Sequence, residues 1–329
     1  MTRAELSPRF WEIFFAVHEA LPRQGPGNRA CAVKALGLCP GLAPSPAVLD
    51  LGCGSGGQTL HLAELTSGTI VALDRHAPSI ERLQATIAER GLSPRIRPVV
   101  GDMAHPPLSP GSFDLVWSEG ALYHIGIENA LRLCRELLRP GGHVAFTDAV
   151  WRTESPPPAV KVGFDLDYPT MGRVPDVLAT IERCELSLTG HFLLPEEAWW
   201  DDFYAPMRSR IEELRDTYAA DADALAVLDE LAVEPELRRR HSYSYAYAFF
   251  VARAIGSTEP CQGKGASRRS SRSREWNSPV CSRDCWAEDT VEDEAAVACD
   301  APFACHPGRG RKPETARLQQ PHEGTMLGP

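Results

Sequence analysis

No apolar run in the 329 residues approaches the roughly 18 consecutive apolar positions that a membrane-spanning helix requires. The opening Met1-Thr2-Arg3-Ala4-Glu5 lacks the basic, apolar and small-residue blocks of a secretory signal, so a cytoplasmic location is the expectation. Positive charge is short as well. The chain has 34 Lys and Arg against 44 Asp and Glu, a net charge of −10, whereas a nucleic-acid partner calls for a basic face. No internal repeat is present. The 10 cysteines lack the regular paired spacing of a zinc module, and without a secretory signal a disulfide framework is not expected. Neither a metal, nor a nucleic acid, nor a membrane is therefore expected as a partner.

What remains is the composition of a globular enzyme, 43% hydrophobic and 24% charged, arranged in two regimes. Up to about residue 255, short β-like runs alternate with helical patterns. Strands are expected at 48–50, 70–74, 95–100, 113–119 and 143–150, with helices near 58–65, 77–90 and 127–138 between them. Such alternation specifies a parallel sheet covered by helices on both faces. Gly141-Gly142, after Arg139-Pro140, is expected to stop a helix and turn the chain into the fifth strand. Beyond residue 150 the pattern loosens. Pro156-Pro157-Pro158 reads as an extended connection, followed by a helix at 176–184, a strand near 186–192, mostly helix over 196–240 and a tyrosine-rich strand at 243–253. From about residue 257 apolar periodicity ends in Arg/Ser, acidic and Pro/Gly-rich stretches. That composition buries too little surface to offset ordering entropy, so a disordered tail is expected there.

The densest information lies in Val48-Leu49-Asp50-Leu51-Gly52-Cys53-Gly54-Ser55-Gly56-Gly57, a buried strand feeding a glycine turn and then a helix. Gly52 and Gly54 let a ligand touch backbone. Gly52, Gly54 and Gly57 also satisfy the dinucleotide pattern G-x-G-x-x-G, with Asp74 following at the right distance, so an NAD(P)-dependent oxidoreductase fits that motif alone. Three neighbours point elsewhere: Asp50 at the strand end, Gly101-Asp102 after the third strand, and Leu138-Arg139-Pro140-Gly141-Gly142 before the fifth. Carboxylates around the turn suit a cationic, hydroxyl-bearing cofactor and repel a diphosphate.

With these motifs the chain resembles the class I, Rossmann-like S-adenosylmethionine-dependent methyltransferases, strongly over 48–150 and more weakly to about 253. The resemblance implies a seven-stranded, mostly parallel α/β sheet with its last strand antiparallel. It implies S-adenosyl-L-methionine as cofactor, with Asp50, Gly52, Cys53 and Gly54 at the turn and Asp74 and Arg75 at the ribose. Asp102 and Met103 would take the adenine; Ser118 and Glu119 are further cofactor-binding candidates, Glu119 reaching the methionine amino group or the substrate, or making a structural hydrogen bond. Cys53 reads as a small filler there, not a nucleophile. The segment from Phe10-Trp11 through Arg23-Gln24-Gly25-Pro26-Gly27, the Ser118-Glu119-Gly120-Ala121 corner and the tyrosine-rich strand are similar to bacterial small-molecule methyltransferases of the ubiquinone/menaquinone type. By that analogy residues 1–46 form a helical lid in which Phe10, Trp11, Phe14, Phe15 and His18 help to close the pocket, although an amphipathic helix packed on the core explains them equally. Residues 47–256 form the core with its substrate-pocket insertions. In the same loop, Arg23 is a candidate for the cofactor carboxylate.

The acceptor is less legible. The fourth strand ends without the Asn/Asp-Pro-Pro-Tyr of nucleic-acid amino-methylating enzymes and without the Pro-Cys pair of RNA cytosine enzymes. A small-molecule acceptor is the expectation, with Tyr123 and His124 as candidates to orient or deprotonate it and Asp148 as a further one. Trp151, Tyr168, Trp199, Trp200, Phe203 and Tyr204 suit either an aromatic substrate chamber or helix-to-sheet packing. Because no base is identified, a non-catalytic cofactor-binding scaffold stays open.

Overall fold

In this computed structural model residues 7–255 are described, and the expectations made for 257–329 lie outside them. Two helices open the fold, α1 (Pro8–His18) and α2 (Arg29–Leu36). Each starts where a side-chain oxygen caps a free backbone amide. Ser7 accepts from Phe10 N with Pro8 in the first turn, and Asn28 accepts from Cys31 N. There follow β1 (Ala47–Leu51), α3 (Gly57–Leu65), β2 (Thr69–Asp74), α4 (Ala77–Glu89), β3 (Ile96–Val100), β4 (Phe113–Glu119), a 3₁₀ turn (Leu122–Ile125), α5 (Ile127–Leu137) and β5 (Leu138–Trp151). The second half runs α6 (Pro158–Asp167), α7 (Val174–Arg183), β6 (Leu186–Leu193) and α8 (Glu197–Trp199) into a π-helical turn (Trp200–Tyr204). It closes with α9 (Ala205–Thr217), α10 (Ala222–Leu231), α11 (Val233–His241) and β7 (Tyr245–Ala254).

The seven strands form one sheet in the order β3-β2-β1-β4-β5-β7-β6. β1 to β5 pair in parallel, and β7 runs antiparallel to both β5 and β6, as the resemblance implied. From β1 the chain steps outward to β3, then returns across β1 to lay β4 on its other side. That reversal opens a crevice at the carboxyl ends of β1 and β4, where ligands bind in open α/β sheets. The period-2 alternation of the strands feeds two apolar layers. Trp117, Ala145 and Phe249 face one, Val116, Phe146 and Phe250 the other. Ring contacts tie β7 to β4 in the first layer, Trp117 to Phe249 at 5.1 Å, and to β5 in the second, Phe146 to Phe250 at 5.3 Å.

Three local expectations are corrected. Arg139-Pro140-Gly141-Gly142 does not precede the fifth strand but lies within it, because the chain extends directly from Leu137. The cost is a break in the β4–β5 register between Phe113 and Leu115. The Pro156-Pro157-Pro158 run is extended only to Pro157. Pro158 begins α6, since a first-turn residue needs no amide donor. The helix expected at 176–184 starts earlier, at Val174, and closes at Arg183; Asp176 in its first turn accepts from Arg173 N at 2.8 Å. No helix among the described residues is long and apolar enough to cross a membrane.

Candidate functional site

A cavity of about 140 Å³ sits at the β1/β4 crevice. Its floor is the glycine turn. Gly52 N and Cys53 N both donate to Leu73 O, at 2.8 and 3.0 Å, which pins the turn to the end of β2. Gly52 has φ 76°, and a Cβ there would stand 2.4 Å from Ala121 Cβ; only glycine allows both the backbone and the approach of the β4 corner.

Around this floor the structure gathers Gly52, Cys53, Gly54, Asp74, Arg75, Asp102, Met103, Glu119 and His124. Asp74 is oriented by two backbone donors, Gly54 N on Oδ2 and His76 N on Oδ1, both at 2.8 Å. Its carboxylate is thus fixed at the rim of the turn. Asp102 is more exposed, with Oδ1 held by Ala104 N at 2.9 Å. Cys53 is buried, and burial pushes its thiol well above the ordinary range, next to the charges of Asp50 and Asp74. That makes it the expected filler.

Asp50 and Ser118 are placed otherwise. Asp50 is fully buried behind the turn, where Oδ2 accepts from Thr59 Oγ1 at 2.5 Å and Oδ1 from Gln58 Nε2 at 3.3 Å. Burial outweighs these two donors and pushes its carboxyl up to about 7. Gln58 also reaches Cys53 O at 3.3 Å, so Asp50 holds the start of α3 under the turn and forms no part of the cavity wall. Ser118 is likewise buried and donates to Leu51 O at 2.7 Å, tying β4 to β1. The arrangement of three aspartates around the ligand is therefore corrected to two on the wall, Asp74 and Asp102, with Glu119 as the third wall carboxylate.

Glu119 is held from both sides. Trp117 Nε1 donates to Oε1 at 2.8 Å, and Arg23 Nη2 pairs with Oε2 at 2.6 Å, with both charged side chains about 4% and 3% exposed. This ion pair joins the N-terminal segment to the end of β4. From α1, Phe14, Phe15 and His18 reach the cavity, while Phe10 and Trp11 pack into the core instead. His76 stacks on Phe15 at 4.3 Å and binds Glu19 through Nε2 at 2.9 Å.

His124 lines the wall, but Tyr123 does not. Its ring is buried between His124 and Tyr168, at centroid distances of 4.0 and 5.0 Å. Asp148 is fully buried beneath, its Oδ2 accepting from Tyr168 Oη at 2.9 Å, and burial raises its carboxyl to about 7. Of the later aromatics, Trp199 and Tyr204 line a second, smaller cavity, whereas Phe203 is core and Trp151 packs against Phe164. Gln24, Gln58, His76 and Tyr247 line the main cavity and carried no site expectation. Gln58 was legible as the first polar residue after the turn. Tyr247 was not, because only the insertion of β7 beside β5 brings it near Gly120, whose Cβ would lie 3.4 Å from its ring.

Residues 48–142 match the family model described as a methyltransferase domain. A sarcosine/dimethylglycine N-methyltransferase of Halorhodospira halochloris is 32% identical over 133 residues, which cover 40% of this chain and 48% of that protein, so the likeness spans about half of the relative's length. Among solved structures, an S-adenosylmethionine-dependent methyltransferase of Geobacter sulfurreducens in complex with S-adenosyl-L-homocysteine superposes with a TM-score of 0.63 at 20% identity, over 73% of this chain and 97% of that one. The [4+2]-cyclase SpnF shares the fold too, with a TM-score of 0.59 at 18% identity over 76% of this chain and 93% of that one. Residues 48–142 thus match a methyltransferase domain, set in a seven-stranded sheet whose fold is shared with solved methyltransferases.

Proposed function

We propose that the protein binds S-adenosyl-L-methionine in the β1/β4 crevice and transfers its methyl group to a small-molecule acceptor. The observation that carries this reading is the pairing of a bare glycine turn with a carboxylate, Asp74, locked by two backbone amides and facing the same cavity as Asp102. A carboxylate accepts from two vicinal hydroxyls well, and such charge-assisted bonds are stronger than neutral ones. The residues fit the rest of the cofactor too. Arg23 keeps Nε and Nη1 buried with no partner among the described residues, donors suited to a carboxylate at the methionine end. Glu119 beside it suits the amino group.

The same segment counts against a dinucleotide. A diphosphate would need the start of α3, and there a Cβ on Gly57 would stand 2.6 Å from Pro22 O: the N-terminal segment already covers that helix end. The NAD(P)-dependent reading loses its binding place.

The bound cofactor supplies an electrophilic methyl on a sulfonium, open to in-line displacement. Positioning then supplies much of the rate. Asp74 and Asp102 fix the nucleoside end, and Arg23 and Glu119 the amino-acid end. His124 and Tyr247 stand on the β4–β7 side of the wall, where either can orient an acceptor and His124 can take its proton. The named activity of the H. halochloris relative makes amines reasonable first acceptors. The test is formation of S-adenosylhomocysteine from S-adenosylmethionine, followed by mass spectrometry across amine, hydroxyl and enol acceptors. Turnover dependent on one acceptor class is expected. Tight cofactor binding with no turnover on any class would favour a scaffold.

A further inference from the structure

Behind the main cavity, sharing Pro26 and Tyr247 with it, is an enclosed cavity of about 20 Å³, room for one small head group. Its wall is aromatic on several sides. Trp199 stands nearly perpendicular to Tyr245 and Tyr247, at 82° and 90°, with centroids 5.8 and 5.2 Å away. Phe164 meets Tyr245 at 66° and 5.0 Å, and Tyr204 closes a further side. Rings packed edge to face in this way turn their remaining faces and edges toward the space they enclose.

One carboxylate enters this chamber. Glu234, at the start of α11, is buried to 6% exposure and accepts from Tyr204 Oη at 2.8 Å. The nearby cation, Arg238, stacks on Trp199 at 3.9 Å, lies 5.1 Å over Tyr245 and pairs with Glu196, leaving the faces of Tyr247 and Phe164 to the chamber. Trp199 contributes a second observation. It is 2% exposed, and its Nε1–H has no hydrogen-bond partner among the described residues. A buried indole donor calls for an acceptor, and the chamber is the space it lines.

From this combination we infer that the chamber behind Tyr247 is the acceptor subsite, and that it takes the methylammonium head of a small cationic amine. The cation is attracted by the ring faces and by Glu234, while an oxygen elsewhere on the acceptor satisfies Trp199. The inference rests on the proposed methyl transfer and specifies its substrate class. Tyr247, common to both cavities, stands where the head group meets the methyl donor: the ammonium gives one proton to Glu234, and the nitrogen lone pair so freed displaces S-adenosylhomocysteine from the methyl carbon.

The test is calorimetry on the full chain saturated with S-adenosylhomocysteine, using N-methylethanolamine and its neutral isostere butan-1-ol as probes. The amine is expected to bind at least 10-fold more tightly than the alcohol, and Glu234→Gln to abolish that preference while homocysteine-product affinity stays unchanged. Trp199→Phe, which keeps a ring without the N–H, is expected to weaken the amine about 10-fold. Equal binding of both probes, or binding of neither by a chain that still takes the product, would overturn the inference and leave the cofactor reading intact. Failure to bind the product would instead strike at the cofactor reading.

Discussion

Asp74 and Asp50 are both carboxylates at strand ends, and their surroundings give them opposite work. Asp74 meets the cavity with its oxygens aimed by Gly54 N and His76 N; Asp50 is sealed under Thr59 and Gln58. Asp74→Ala is expected to weaken S-adenosylhomocysteine binding roughly 10- to 100-fold by titration, the worth of one or two charge-assisted bonds, with little change in melting temperature. Asp50→Ala is expected to do the reverse, lowering the melting temperature first, because it frees Gln58 and Thr59 under the turn. Arg23→Ala leaves the Glu119 carboxylate buried without its guanidinium, a loss on the order of 3–5 kcal/mol seen in thermal unfolding. Adding Glu119→Ala is expected to recover part of that stability but none of the cofactor affinity.

Asp148 carries a pH signature. Burial raises its carboxyl to about 7, above the ordinary 3.8. A raised folded-state value gives stability that is complete below about pH 4 and is lost as pH rises through 7. Asparagine can keep the acceptor for Tyr168 without the charge. The melting temperature of Asp148→Asn relative to the native chain is therefore expected to climb between about pH 4 and pH 7 and to level off above that. A flat difference would show that Asp148 does not titrate in that window.

Among the elements, β1, the glycine turn and α3 were legible because strand, turn and helix each have a local cause: an apolar run, positive-φ glycines, and a stretch from Gln58 to Leu65 free of glycine and proline. Asp50 was legible as a strand-end carboxylate but not in its direction, since the side that a strand residue faces depends on what covers it, here Gln58 and Thr59 from the next helix. Tyr123 failed for the same reason, turned inward onto Tyr168 by a 3₁₀ turn that no periodicity announces. The start of α6 hid behind three prolines. Tyr247 and the aromatic chamber depend on β7, which starts at Tyr245, entering the sheet beside β5, which ends at Trp151, a pairing that sequence neighbours do not encode. The contact of Pro22 with α3 belongs to this scale as well. Gly57→Ala puts a methyl 2.6 Å from a backbone carbonyl, so a loss of about 1–3 kcal/mol is expected in denaturant unfolding, with weaker cofactor binding as the Arg23 segment lifts.

At the scale of the molecule, one sheet carries the site, and the helices after β5 add the second chamber. Residues 7–255 contain all seven strands and every residue named on the cavity walls. Removal of residues 257–329 is accordingly expected to preserve folding and product affinity, measured by circular dichroism and titration. The same sheet is shared with methyltransferases and with a cyclase, so the fold alone does not choose a reaction. The choice falls on the crevice between β1 and β4. Titration calorimetry of the purified chain with S-adenosylhomocysteine and, separately, with NADH tests it most directly. Saturable one-site binding of the first, lost in Asp74→Ala, and no heat from the second are predicted; NADH binding in place of the adenosyl ligand, or no response to either, would contradict the account.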